Sequence, residues 1–574
     1  MFSRFRDEAT FMLKQLFTTG LSGTRVHEIS ERRPVRGCGG CLKHGKSLLA
    51  AVFLLGFGWQ GGSVWAATYY VDPVSGNDSN PGTSQTSAWK TIPGTRTKSD
   101  SGFLRSSWGS ISSGNKISAG DAIYLKAGTS HTSANGGRIV IDSTFYNNGT
   151  SGARIKILVS PTWGSGNFTI DGSGISIPTY FGLVFTRINH LTLSGASTSR
   201  RLAVRDGSVS EGYNVLIYGK SGAHTTGVHL EYADISIGPL GNIGVGYSDD
   251  GIIRNSLIHN SSQSGIQLGL AADIPNYGWL LEDLDVYDNG LTTSGTENLP
   301  HGLQIVGSFD VTIRRVESHG NRRDGFDFGT AAYNNAGSMS AVVIDSASYN
   351  NGEDGFGVNG GSGSVVVDYI NVISFNNRVS GWQIYDGPDI GIYHSVAHSN
   401  GTNSSFGGNI LTYTDAGYPP PKITLRNNIF YKPKAFAQVG SYNSPGGNPI
   451  IDSDNNIYVP RSSDTETGFD FPWGTQKNYN NPPSFIGPND KVGMAYNPGF
   501  VSSASKTNIK ANDYHLSSGS STAADAGVVL TGVAVADQDR DAKVRGTSPD
   551  IGAYEFGLTE VLAAPSPPSN VTVR

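Results

Sequence analysis

An aromatic residue or histidine recurs two positions ahead of an asparagine, at Tyr287/Asn289, His319/Asn321, Tyr349/Asn351, Phe375/Asn377 and His398/Asn400. His259/Ser261 is a degenerate first copy, and successive leading residues stand 28, 32, 30, 26 and 23 positions apart. In four of the six copies a glycine follows six residues after the leader, at Gly265, Gly325, Gly355 and Gly381; the other two carry extra residues and reach Gly302 and Gly408. After the glycine comes an apolar-x-apolar triplet: Ile266-Gln267-Leu268, Leu303-Gln304-Ile305, Phe326-Asp327-Phe328, Phe356-Gly357-Val358 and Trp382-Gln383-Ile384. A period of this length, with short alternating strands and asparagine at the turns, belongs to stacked coils and not to a globular sandwich. Stacked asparagines bond up and down such a ladder, and the glycine is expected to permit a left-handed turn between strands. The expected fold is all-β: a parallel β-helix.

Composition agrees. Glycine is 76 of 574 residues, charged residues are 16%, and only 12 of the 47 acidic residues are glutamate. Glycine, aspartate, asparagine and serine favour turns over helix interiors. With 37% apolar and 10% aromatic residues the chain still has enough to build a core, which excludes wholesale disorder.

The N-terminus reads as a leader. Lys43, His44 and Lys46 precede an apolar run from Leu48 to Trp59, too short to span a membrane and suited to a secretory h-region. Val64-Trp65-Ala66 then supplies small residues at the cleavage positions, so the mature chain is expected to start near Ala67. Both cysteines, Cys38 and Cys41, fall inside residues 1–66. The mature protein is therefore expected to be exported without disulfides and stabilised by a long continuous core. The whole chain carries −5, and the nine basic and four acidic residues of 1–66 leave the remainder near −10. That charge argues against nucleic acid as a partner, and the expected mature chain is a monomer with no membrane span.

The repeat assigns faces. In each triplet the outer residues point inward and the middle one to solvent, with coils about 4.8 Å apart. One outward column reads Gln267, Gln304, Asp327, Gly357, Gln383; the residues before the glycines form a second, Ser264, His301, Asp324, Asp354, Ser380. His301, Gln304, Asp324, Asp327 and Asp354 are thus expected to converge on one patch, with Arg322 and Arg323 in the turn beside it and Glu353 one coil further on. Clustered oxygens with few positive charges suit Ca²⁺, which takes six to eight oxygen ligands. The expected metal ligands are Asp324, Asp327, Asp354 and Glu353.

Two resemblances extend this reading. Tyr69-Tyr70-Val71-Asp72 through Gly76-Asn77-Asp78, Asn80-Pro81-Gly82 and Trp89-Lys90-Thr91-Ile92 resemble the opening segment of secreted right-handed β-helix proteins. Asp513-Tyr514-His515-Leu516, Asp525-Ala526-Gly527 and Asp550-Ile551-Gly552-Ala553-Tyr554-Glu555 resemble their closing segment. This implies a right-handed parallel β-helix with N- and C-terminal capping segments, divided into a leader (1–66), the β-helix (67–500), a closing segment (501–556) and a Pro/Ser-rich tail (557–574). Within it, Asn321-Arg322-Arg323-Asp324-Gly325-Phe326-Asp327 and Asp354-Gly355-Phe356-Gly357-Val358 are similar to family 9 pectate lyases. The resemblance implies that Asp324 and Asp327 bind Ca²⁺. Arg323 and His301 stand where further aspartates are expected, and Gly357 where the family has its catalytic lysine. No lysine occurs between Lys220 and Lys422, so any base in the central coils is arginine, histidine or tyrosine.

The expected function is therefore export followed by action on acidic polysaccharide, as a divergent lyase working by β-elimination at the cell surface or outside the cell. In such a reaction a metal or arginine neutralises the uronate carboxylate and a basic group removes the neighbouring proton. His301, Arg322 and Arg323 are the candidate catalytic residues, His301 having the more suitable pKa. Gln304, Arg378 and Gln383 are candidates for substrate binding. Two alternatives stand beside this: a non-catalytic glycan-binding surface protein, and a polygalacturonase-like hydrolase built on Ser248-Asp249-Asp250-Gly251 and His301-Gly302-Leu303. Trp382 and Tyr385 are candidate sugar-stacking rings, although Trp382 opens an apolar triplet, a core position. His259, His319 and His398 are expected to stack along the coil. Ser441–Asn481, rich in Asn, Pro, Gly and Ser, reads as an excursion from the coil in which Phe471 and Trp473 line a cleft.

Overall fold

The computed structural model describes residues 66–557 apart from 100, 174, 176–181, 200, 206–211, 271–273, 291–299, 330–337, 362, 403–406, 435–436, 443, 472–474, 504–511, 520 and 534–535. The leader with its cysteines, Trp473 and residues 558–574 lie outside the described residues.

Each strand of the central region pairs in parallel with the strand one coil before and one coil after it. Among the described residues one sheet has thirteen strands in chain order, from Ile139–Ile141 to Gln476–Asn478, the last antiparallel. A broad sheet of twenty-three strands and a short one of four complete the walls. This is the expected parallel β-helix. Its core is the column of inward side chains: Ile266, Leu303, Phe326, Phe356 and Trp382 are fully buried and stand in register. Phe356 stacks between Phe326 (4.9 Å) and Trp382 (5.3 Å). Trp382 is thus a core residue.

The asparagine ladder forms as expected. The backbone N–H and the side-chain amide of Asn289 both donate to Oδ1 of Asn321 (3.1 and 3.0 Å), and the same pair of bonds links Asn321 to Asn351, Asn351 to Asn377 and Asn377 to Asn400. All five side chains are buried, so each bond removes the penalty of a dry polar group.

The left-handed turn lies elsewhere than expected. Gly265, Gly302, Gly325, Gly355 and Gly381 keep ordinary backbone conformations; the residue just before each ladder position has φ between 52° and 63°, at Asn260, Asp288, Gly320, Asn350, Asn376 and Ser399. Asparagine, aspartate and glycine tolerate that region best. The repeat glycines instead make room for close approach. A Cβ on Gly325 would lie 2.0 Å from Ser348 Oγ and 2.7 Å from Asn351 Nδ2.

The leading aromatics and histidines stack on the outer face: His259 on Tyr287 (4.7 Å), Tyr287 on His319 (5.4 Å) and His319 on Tyr349 (4.6 Å). His259 Nε2 lies 3.0 Å from Asp234 Oδ1 and His319 Nε2 2.9 Å from Asp285 Oδ1.

Within Ser441–Asn481 the described strands through Asp470 continue the coil, and Gln476–Asn478 then turns back antiparallel on Thr467–Asp470. Ile450–Asp454 pairs with Lys422–Arg426, Ile457–Val459 with Ile429–Tyr431, and Thr467–Asp470 with Ala437–Tyr442. Its asparagines mark coil turns: Asn455 has φ 59°, and Asn456 accepts from Asn428 N (2.9 Å) in a second ladder. Phe471 packs edge-on against Phe485.

The C-terminal segment lies along the flank. Ala347, Ile373, Val396, Ile429 and Ile457 form one column in register, covered by Tyr514, Leu516, Ala523, Ile551 and Ala553. Buried Arg545 pairs with Glu555 (3.0 Å) and donates to Asn371 Oδ1 (3.0 Å), fastening the segment to the coil.

Candidate functional site

The outward column of the thirteen-strand sheet has the expected register. Gly244, Gln267, Gln304, Asp327, Gly357, Gln383 and Leu411 stand on successive coils. The second column is confirmed by its backbone bonds: Gly265 N to His301 O, Gly302 N to Asp324 O, Gly325 N to Asp354 O and Gly355 N to Ser380 O, all 2.9–3.0 Å.

His301, Asp324 and Asp327 meet, their potential ligand atoms all within 4.8 Å of one another. His301 Nδ1 lies 3.0 Å from Asp324 Oδ2, and Nε2 lies 3.5 Å from Asp327 Oδ2. The Nδ1 contact falls outside straight N–H···O hydrogen-bonding geometry. Gln304 Nε2 donates to Asp327 Oδ2 (3.1 Å), while its buried Oε1 has no hydrogen-bond partner. The imidazole is 3% exposed and the Asp327 side chain 25%, making Asp327 the member that reaches the surface.

Asp354 is adjacent but engaged elsewhere. Its backbone N–H donates to Asp324 Oδ1 (3.0 Å), and its carboxylate accepts from Ser380 Oγ. Glu353 does not join the cluster: Arg323 Nε and Nη2 both lie 2.8 Å from Glu353 Oε2. The group placed to compensate Asp324 and Asp327 when protonated is therefore His301, a role that sequence reasoning did not give it.

Burial opposes charge on the His301 imidazole, but Asp327 and Asp324 outweigh it and hold the ring's pKa above its ordinary value. Burial pushes Asp327 up, against the pull of His301. Asp324, despite burial, is held below the usual carboxylate range by His301 and Arg323. Asp354 is pushed well above it by burial and by Asp324. Neighbouring carboxyls whose environments drive their affinities for protons apart are an acid–base arrangement.

Space beside the cluster comes from Gly357. A Cβ there would lie 3.1 Å from Asp324 Oδ2 and 3.6 Å from Asp327 Oδ1. The glycine thus leaves a notch that both carboxylates border.

Arg322 and Arg378 project from the turn beside this sheet. Arg322 N bonds Asn289 O (3.0 Å), Gly352 N bonds Asn321 O (2.8 Å) and Arg378 N bonds Asn351 O (3.1 Å). The two exposed arginines therefore sit two coils apart, about 10 Å, with Gly352 between them. Gln383 is half-buried beyond Gly357. Tyr385, two residues further on the same strand, packs edge-on against Tyr413 (5.6 Å). Burial and the negative charges of Asp354 and Asp324 raise its phenol pKa, so it stays protonated.

Asp249 and Asp250 lie apart from this cluster. Asp249, on the short sheet, contacts His224 Nδ1 at 2.9 Å, and Asp250 occupies a left-handed turn (φ 52°). They do not form an acid–base pair with His301 in this arrangement.

No protein-family model matches the sequence, and no curated protein matches it. Solved structures with a similar chain path include pectate lyase Pel9A (16% identity, TM-score 0.46, covering 86% of this chain and 96% of that one). XylC in complex with xylose is similar at 11% identity and TM-score 0.49, covering 85% and 98%. The A-module of the Azotobacter vinelandii mannuronan C-5 epimerase AlgE4 is similar at 16% identity and TM-score 0.40, covering 65% and 91%.

Proposed function

We propose that this protein is an exported enzyme that cleaves acidic polysaccharide by β-elimination at the notch bordered by Asp324 and Asp327. The observation that carries this reading is the His301–Asp324–Asp327 cluster opening onto Gly357 beside a turn that presents Arg322 and Arg378. On a chain whose mature part is near −10, that arginine turn is a local exception suited to uronate carboxylates. Arg322 and Arg378 bind and partly neutralise neighbouring carboxylates of the glycan, which acidifies the adjacent C–H. Asp327 reaches the notch at its surface, and its Oδ2 faces His301 Nε2. A proton taken from the sugar is thus held on Asp327 itself, in the general-base role, burial raising that carboxylate's affinity for it. Protonated Tyr385 is the candidate donor to the leaving oxygen.

The residues present also suit Ca²⁺. Asp324, Asp327 and the unpartnered Gln304 Oε1 would hold it, whereas Asp354 and Glu353 are engaged elsewhere. Bound there, Ca²⁺ would draw charge from the uronate carboxylate.

The test incubates the full chain with pectate, alginate and glycosaminoglycans, with and without Ca²⁺, and follows the ultraviolet absorbance of 4,5-unsaturated uronates. Absorbance that rises for wild type and not for Asp327→Ala supports the lyase. New reducing ends without absorbance replace it with a hydrolase, which the opposed proton affinities of Asp324 and Asp327 would serve. Retention on a glycan gel without either product leaves only the binding role.

A further inference from the structure

The opening segment holds a second polar site that the proposed reaction does not use. A depression of about 450 Å³ lies where Lys90, Lys98 and Arg105 converge with Asp78, Thr97 and Asn135. Asp78 supplies a wall carboxylate, and it is already fully occupied. Its Oδ1 accepts from Lys90 N (2.8 Å) and Thr91 N (2.7 Å), and its Oδ2 from Thr91 Oγ1 and Arg105 Nε (both 3.0 Å). Arg105 therefore balances Asp78. Among the described residues neither Lys90 nor Lys98 makes an ion pair, and both are exposed. Two ammonium groups without an ion pair thus line one hollow on a chain of net negative charge, an arrangement that attracts and concentrates anions.

The hollow is far larger than a simple inorganic anion needs and falls within the range of organic ligand sites. Its wall combines hydroxyl and amide groups with the apolar side chains of Leu104 and Ala134, which suits a sugar carrying both hydroxyls and a ring face. We propose that this hollow binds a carboxylate-bearing saccharide, with Lys90 and Lys98 on its carboxylates. It is a separate site: Gly136 in its wall precedes the first strand of the thirteen-strand sheet, Ile139–Ile141. From Val140 to Asp327 that sheet advances six coils, about 29 Å at 4.8 Å each. The glycan class is shared with the proposed function, but binding here is measured without turnover, so either reading can fail alone.

The experiment titrates hexagalacturonate, cellohexaose and inorganic phosphate into the full chain carrying Arg322→Gln, Asp327→Asn and Arg378→Gln, which removes the carboxylate-binding groups of the notch, with and without Lys90→Gln and Lys98→Gln. The two lysine changes are expected to weaken hexagalacturonate binding roughly tenfold, and cellohexaose is expected not to bind. In the wild-type protein, hexagalacturonate is expected to slow acetylation of Lys90 and Lys98, read by mass spectrometry; this arm decides if the lysine variant misfolds. Unchanged affinity in a folded lysine variant, no protection of either lysine, or equal binding of cellohexaose would overturn the proposal. So would equal protection by phosphate, which would mark a plain anion trap.

Discussion

His301 Nδ1 lies 3.0 Å from Asp324 Oδ2, in a site where the ring is 3% and the carboxylate 8% exposed. Removing one partner of such a buried pair leaves an uncompensated charge. His301→Ala is therefore expected to cost about 3–5 kcal/mol in denaturant unfolding. The pair also predicts a pH window. The folded pKa of His301 lies above its ordinary 6.5, so its contribution is complete below pH 6.5 and fades as pH rises through the folded value. Asp324 is held below its ordinary 3.8, so its contribution is present above that value and lost as pH falls through the folded one. The stability gap between wild type and His301→Gln should be widest between pH 3.8 and 6.5. A gap that stays equally wide as pH falls well below 3.8 and rises well above 6.5 would contradict the pairing.

Asp354 should behave in the opposite sense. Burial and Asp324 raise its folded pKa well above 3.8, so the unfolded chain releases the proton first and wild type loses stability as pH rises through that interval. Asp354→Asn keeps an acceptor for Ser380 and removes the penalty. At neutral pH it is expected to be more stable than wild type. Asp324→Asn should destabilise under the same conditions, and urea titrations at two pH values separate the two.

The ladder gives a purely structural prediction. Asn321 Oδ1 accepts two bonds from Asn289, and its Nδ2 donates to Asn351 Oδ1, Val286 O and Ser318 Oγ. Asn321→Leu strands several buried donors and acceptors at once. The expected cost is about 3 kcal/mol or more, measured by thermal and urea unfolding.

What the sequence could reveal follows from which contacts are periodic. The Gln267–Gln304–Asp327–Gly357–Gln383 column and the asparagine ladder were legible because every coil repeats them in one register. Ion-pair choice was not. Arg323 could reach Asp324 or Glu353 from its turn, and only side-chain geometry shows that it takes Glu353 and leaves His301 between the aspartates. At five of the six repeat glycines, all but Gly408 (φ 149°), the sequence does not separate a tight approach to a neighbour from a left-handed turn, because both ask for the same residue. The part of Ser441–Asn481 that continues the coil reads as an excursion for a related reason. A coil turn such as Asn455-Asn456 has the composition of a loop. The flank cover shows in Ala347-Ser348-Tyr349 and Ile373-Ser374-Phe375, which are buried at every position, as strands covered on both faces are.

Gly357 tests the notch directly. Its backbone needs no glycine, since its φ is not positive, but a Cβ would press on Asp324 Oδ2 at 3.1 Å and narrow the space beside Asp327. Gly357→Ala should therefore fold and lose roughly tenfold or more in kcat/KM on the cleaved polyuronate. Full activity in the folded variant would place the substrate elsewhere.

Calcium is the last and most decisive case. Asp324 and Asp327 border one space, and Gln304 Oε1 is a buried acceptor with no donor; a divalent cation would satisfy all three. If it binds only the folded chain, Ca²⁺ at about 100 times its Kd should add roughly 2.7 kcal/mol, seen as a rise in Tm that EDTA reverses. Asp327→Asn should abolish that rise and stay folded, because the side chain lies on the outward column and not in the core. Glu353→Gln should leave it intact, since Glu353 is held by Arg323. Loss of the rise in Glu353→Gln would restore the four-carboxylate site expected from the sequence. A wild-type Tm unmoved by Ca²⁺ would leave the His301 imidazolium as the cation of this site, and Arg322 and Arg378 as the groups that neutralise the uronate.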